Sequence, residues 1–210
     1  MTARATRTRR RTRIQEENEA KILSAALDVF SEAGFRGAAL DAVAERAGMS
    51  KPNLLYYFRS KEELHLTLLE RLLDDWLAPL QTLDPEGDPF EEIRAYIRLK
   101  LKMAEDYPRE SRLFANEIIR GAPHIGDYLS GPLKGLVDQQ SAIIQGWADR
   151  GLIAPVDPRH LIFAIWATTQ HYADFESQVC AVLGDDADRR FEDAAIAIER
   201  LILGGLRMGD

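Results

Sequence analysis

"GMSKPNLLYYFRSKEEL", Gly48 to Leu64, holds a turn glycine, a short segment with two adjacent tyrosines, and the opening of another helix. Ser50 is placed to cap the short helix, and Pro52 falls in its first turn, where no backbone donor is lost. Leu54 and Phe58 are spaced to face a core, which leaves Lys51, Asn53, Tyr56 and Tyr57 outward. Just upstream, "LDAVAERAG" puts Leu40, Val43, Ala44 and Ala47 on one face and ends at Gly48. Two short helices joined by a glycine turn make a helix-turn-helix. Water gains little from the outward face. A DNA major groove would use it well, because an amide can bond base edges while ammonium and phenol groups reach phosphates. Lys51 and Lys61 also lie near helix N-termini, where phosphate is favoured. The same spacing allows an αα-hairpin with surface tyrosines.

Around this stretch the chain reads as all-α. Apolar residues recur at threes and fours, as in Ile22, Ala26, Val29, Phe30 and Ala33. No run alternates as a strand would, and no Asn-Gly or Asp-Gly hairpin turn occurs. The first helix is expected from about Glu17 to Ala33, stopped by Gly34. Ser60 opens a long helix to about Leu83, with Glu63 completing a capping box. Asp88-Pro89 and Asp157-Pro158 each give the cap-then-proline start signal. Further helices are expected at about 109–121, 127–150, 158–183 and 187–207.

The 210 residues carry a net charge of −7, unevenly spread. Residues 1–66 hold 12 Lys/Arg against 9 Asp/Glu, and residues 67–210 hold 15 against 25. Six arginines precede the first acid, Glu16. A basic arm on an acidic protein points to a polyanion at that end, or to a solubilising tail. One cysteine, Cys180, excludes a disulfide framework and a multi-cysteine zinc site. The arm lacks the apolar core of a signal peptide and no apolar run is long enough to span a bilayer, so a cytoplasmic protein with no membrane partner is expected.

"AKILSAALDVFSEAGFRGAALDAVAERAGMSKPNLLYYFRSKEEL" resembles the N-terminal domain of TetR-type transcriptional repressors. The resemblance implies a homodimer on a double-stranded DNA operator, its short third helices in successive major grooves. It also implies a larger C-terminal domain that binds an effector and dimerises through its last two helices. The expected division is a disordered basic arm at 1–16, a helix-turn-helix domain at 17–65 and a ligand-binding domain at 66–210. Ser50, Lys51 and Asn53 are the candidates for reading bases. Tyr56, Tyr57 and Lys61 are those for phosphates, with Arg9, Arg10 and Arg11 reaching out from the arm. Two departures stand out. Ala38 and Ala39 replace the family's capping Thr or Ser, a role left to Asp41, while Pro52 and Leu55 replace its usual glycine and tyrosine.

The second informative segment is "HLIFAIWATTQHYADF", residues 160–175, with no charge from Leu161 to Thr169. A helix apolar all round is buried all round, so it should meet its own core on one side and a partner subunit on the other. Trp166, Thr169 and Gln170 share a face by three-and-four spacing and could line a pocket for a flat, hydrogen-bonding ligand. Gln170 and His171 could equally bond across the dimer seam. "DDWLAPL", "YIRLKL", "DYPRESRLF" and "WATTQHYADFESQV" further resemble the pyrimidine-utilisation regulators of the family. That implies uracil or thymine as effector, with Trp76, Trp166, Thr169, Gln170, Tyr172, Arg112 and Asn116 as candidate contacts. A pyrimidinedione offers carbonyl acceptors and N–H donors on a flat ring, matching an amide and an indole.

Catalysis is not expected. There is no glycine-rich phosphate loop and no Gly-x-Ser-x-Gly, and His65, His124, His160 and His171 lack metal-ligand spacing. His171 and Asp174 form an i, i+3 pair of the kind that is more often structural. No cofactor and no metal are implied. An effector other than a pyrimidine, for an efflux or lipid regulator, is the alternative within the same fold.

Overall fold

The computed structural model describes residues 13–208, and among these every regular element is helical. The chain divides into two compact units after Leu68.

In the first unit, α1 (Arg13–Gly37), α2 (Leu40–Arg46), α3 (Lys51–Tyr57) and the start of α4 (Lys61–Leu77) enclose a small core. Ile22, Ala26, Phe30, Val43, Leu54 and Leu64 are essentially inaccessible there. α1 begins at Arg13, not near Glu17, so residues 13–16 are helix and not arm. Arg13 reaches Glu17 at 2.8 Å, an exposed pair that suits the first turn. Gly34 breaks the helical path at φ 64°, ψ 174°, as its position predicts, although a last turn follows it.

The second unit centres on α9 (Pro158–Asp174), which packs against α5 (Pro89–Asp106), α6 (Pro108–Ile119), α8 (Lys134–Asp149), α10 (Glu176–Leu183) and α11 (Arg190–Gly205). Its core includes Leu80, Ile93, Ile97, Leu101, Ile144, Trp147, Ile162, Ile165 and Ile198. Asp88 accepts from the amides of Phe90 and Glu91, and Asp157 from those of Arg159 and His160, so both Asp-Pro signals start helices. The loop after α4 is pinned at Pro85, whose carbonyl accepts from Trp147 Nε1 at 3.0 Å and from Arg150 at 2.7 Å.

Three long helices are less continuous than the periodicity predicts. The helix expected from Ser60 to about Leu83 is α4 to Leu77 and then a 3-10 segment over Ala78–Thr82. The 127–150 segment is a single turn, α7 (Gly126–Tyr128), then a π turn over Leu129–Leu133, then α8. Pro132 lies in that π turn, and a missing amide of this kind is a usual cause of such irregularity. The 158–183 helix breaks at Phe175 (φ −115°, ψ 31°), which separates α9 from α10.

Candidate nucleic-acid interface and interior polar cluster

Gly48 makes the turn between α2 and α3 at φ +68°, a conformation that other residues resist. Ser50 caps α3 by accepting from the Asn53 amide at 3.4 Å, and buried Leu54 and Phe58 fasten the helix to its core. Lys51, Pro52, Asn53 and Tyr56 are consequently exposed on the far side. The rings of Tyr56 and Tyr57 meet edge-on at 5.2 Å. Their hydroxyls accept from side-chain amides of α1: Gln15 to Tyr56 at 3.3 Å and Asn18 to Tyr57 at 3.1 Å. The first turns of α1 therefore orient the tyrosines, a role that residue spacing does not reveal.

Lys51 pairs with Asp41 at 2.9 Å, both side chains exposed. Asp41 is thus not the cap expected of it: Ala39 holds the N-cap position of α2 in an extended conformation with no side-chain bond. Lys61 has a structural task. It donates to the carbonyls of Phe35 at 2.9 Å and Ala38 at 3.0 Å, with its ammonium 4.6 Å from the centre of the Phe35 ring. It closes the end of α1 from within. Arg9, Arg10 and Arg11 lie outside the described residues.

In the second unit the expected effector residues lie in different surroundings. Trp76 is buried, and Trp166 is half-buried with its indole N–H donating to the Tyr96 hydroxyl at 2.5 Å. Gln170 is half-buried one turn further along α9, and Tyr172 is half-buried on another face near Phe191. Thr169 is fully buried, but its hydroxyl donates to the Ile165 carbonyl of its own helix at 2.7 Å, so the polar handle expected there is already engaged. Asn116 is exposed, and Arg112 reaches Glu176 at 3.3 Å, where Arg190 also binds.

The polar groups found near Trp76 and Trp166 include Lys100, Tyr96 and Ser111, which the sequence reading does not single out, and Asp174, which it reads only as half of an i, i+3 pair with His171. Lys100 on α5 is only 4% exposed, and its ammonium sits 4.5 Å from the centre of the Trp76 ring. Burial pulls it down to about 8, opposed by the charge of Asp174. Asp174, half-buried on α9, accepts a short hydrogen bond from the Ser111 hydroxyl of α6. Burial raises the Asp174 carboxyl above the usual aspartate range, against the Ser111 bond and the nearby Arg112, His171 and Lys100. Burial likewise raises the Tyr96 phenol, only partly offset by the Trp166 N–H. A usable signal was in the sequence: Lys100 falls in register with Ile93, Tyr96, Ile97 and Leu101, a lysine on a buried stripe. A cavity of about 580 Å³ adjoins this region, lined by Leu72, Trp76, Pro79, Leu99, Met103 and Glu110 among others.

Residues 22–68 match the family "Bacterial regulatory proteins, tetR family", and residues 69–209 match "YcdC-like protein, C-terminal region". The chain is 50% identical over 202 residues to the HTH-type transcriptional regulator RutR of Escherichia coli (strain K12), covering 95% of both chains. It is 34% identical over 107 residues to the HTH-type transcriptional activator FasR of Mycolicibacterium smegmatis, about half of either chain. A TetR-like transcriptional regulator from Rhodococcus sp. RHA1 superposes with a TM-score of 0.68 at 22% identity, over 93% of this chain and 98% of that one. AibR, in complex with isovaleryl coenzyme A and operator DNA, gives 0.70 at 19% identity over 88% and 97%. The helix-turn-helix is thus of the DNA-binding kind, and these relatives are regulators, not enzymes. The chain belongs to the TetR family of bacterial transcriptional regulators.

Proposed function

We propose that this protein is a cytoplasmic, dimeric repressor of pyrimidine catabolism that leaves its operator when uracil or thymine binds. The observation that carries the reading is 50% identity to RutR over 95% of the chain, a span that takes in both units. Ser50, Lys51 and Asn53 read bases from the exposed face of α3, and Tyr56 and Tyr57 hold phosphates from an orientation set by α1. The arm adds phosphate contacts through Arg9, Arg10 and Arg11. Homodimerisation is supported by the apolar side chains that α9 and α11 leave uncovered in one chain: Phe163, Ile196 (63% exposed) and Leu201 (70% exposed).

Trp166 and Gln170 supply an aromatic face and an amide for the ring edge of the effector. Ligand can shift the dimer between two arrangements only by binding one more tightly, and a coupling of roughly 1–3 kcal/mol is typical. α4 is the chain segment through which such a shift would pass. Repression of efflux or lipid genes through a larger effector is the second reading. It is favoured by the size of the 580 Å³ cavity and by its Leu72, Pro79, Leu99 and Met103 lining. A thermal-shift screen separates the two. Uracil and thymine should raise the unfolding temperature of the wild type but not of Gln170→Ala. Stabilisation by acyl compounds with none by nucleobases would favour the second reading.

A further inference from the structure

Lys100 is an anomaly that neither the fold nor the DNA-reading face explains. An ammonium removed from water is costly unless a carboxylate or hydrogen-bond acceptors receive it. Here it is 4% exposed, and its ammonium faces an indole ring at 4.5 Å. An aromatic face steadies a cation but leaves its N–H donors unused. Asp174, the carboxylate that acts on it electrostatically, is directed to Ser111 by a short hydrogen bond. A cation and an anion therefore lie close in the interior of the second unit, each with bonding capacity left over. Both stand beside the Trp76 indole or the α9 line Trp166–Gln170–Asp174, whose four-residue spacing keeps it on one face. Trp76 is shared by the ammonium and the 580 Å³ cavity, and Met103, one turn from Lys100, lines the same cavity.

We propose that Lys100 and Asp174 form the polar bed of the effector site, binding a neutral planar heterocycle through a carbonyl next to an N–H. The Lys100 ammonium donates to the carbonyl and the Asp174 carboxylate accepts the N–H. Ser111 is a positioning residue that holds the carboxylate, and Trp76 positions the ammonium. The charge balance dictates the ligand class. Lys100 and Asp174 are both satisfied by a neutral donor–acceptor edge, whereas an anionic ligand meets Asp174 and a simple cation meets Lys100. Arg112, the other cation that acts on Asp174, is paired with Glu176. This rests on the small-effector reading above, yet it assigns contacts to residues outside the set inferred from sequence.

The test is calorimetric titration of the full-length protein with uracil and with succinimide, an imide lacking the pyrimidine ring, and with orotate, the carboxylated pyrimidinedione. Wild type, Lys100→Met, Asp174→Asn and Ser111→Ala are compared, each checked for cooperative unfolding. Expected are uracil binding to wild type, at least tenfold weaker binding to the first two variants, a smaller loss for Ser111→Ala, and orotate weaker than uracil. Should uracil fail on wild type while succinimide binds and weakens in the variants, the pyrimidine reading falls and the polar bed stands. Equal binding of uracil to wild type and to both charge variants would overturn the polar bed and leave the pyrimidine reading intact. Orotate binding tighter than uracil, or no binding of either imide to wild type, also overturns the bed.

Discussion

Ala39 and Lys100 are two residues at which the chain forgoes stability, for different reasons. Ala39 sits at the N-cap of α2 with φ −116° and ψ 140°, the extended geometry that a Ser or Thr would use to bond the first turn. Ala39→Thr should therefore raise unfolding stability by about 1 kcal/mol in urea titrations, and an unchanged midpoint would mean that the first turn of α2 gains nothing from a cap. Lys100 bears a desolvation penalty whose pH dependence has a definite sign. Its pKa is about 8 folded against 10.5 for an ordinary lysine, so between those values the unfolded chain binds more protons and stability rises with pH. Lys100→Met should be more stable than wild type at pH 7, by on the order of 1–3 kcal/mol, and the difference should shrink as pH rises from 8 to 10.5. A difference that does not vary with pH would show that Lys100 is not buried as a cation. Nothing in the local pattern hints at the Lys61 bonds to Phe35 and Ala38, because they join positions 26 and 23 residues apart. Bonds at that separation follow from how α1 and α4 approach, not from local spacing.

Among the elements, α3 is the one whose exposed face is best defined by its buried one. Leu54 and Phe58 fix which way it points, so its outward residues were legible from a 3.6-residue period alone. Removing the Asn53 amide (Asn53→Ala) should relax base preference at one operator position, by roughly 1–3 kcal/mol for a bidentate contact. Tyr56→Phe and Tyr57→Phe should weaken all duplexes about equally, as phosphate contacts do. Fluorescence anisotropy on operator and scrambled duplexes distinguishes these patterns, and a specificity change in the tyrosine variants would reassign them. Helix ends marked by Asp-Pro were readable because cap and proline act within one turn. The break at Phe175 was not: nothing local in "ADFESQ" forbids a helix, and the backbone departs there without glycine or proline.

At the scale of the molecule, the charge asymmetry and the all-helical pattern followed directly from composition and periodicity. The effector region was only half legible. Trp166 and Gln170 stood out as polar groups in an uncharged helix, but Tyr96, which accepts from the Trp166 indole, and Ser111, which bonds Asp174, come from α5 and α6, and only tertiary packing brings them to α9. Deleting residues 1–12, which hold five arginines, should flatten the dependence of DNA affinity on salt, by about 0.9 in log–log slope for each phosphate that is no longer neutralised. An unchanged slope would reduce that segment to a tail. The central claim is that a small ligand in the helical C-terminal unit governs whether α3 stays on DNA. It is tested most directly by titrating the full-length protein onto a fluorescent operator duplex at fixed salt, with and without saturating uracil. The account predicts at least a fivefold loss of operator affinity with uracil present, and an operator affinity unchanged by uracil would contradict it.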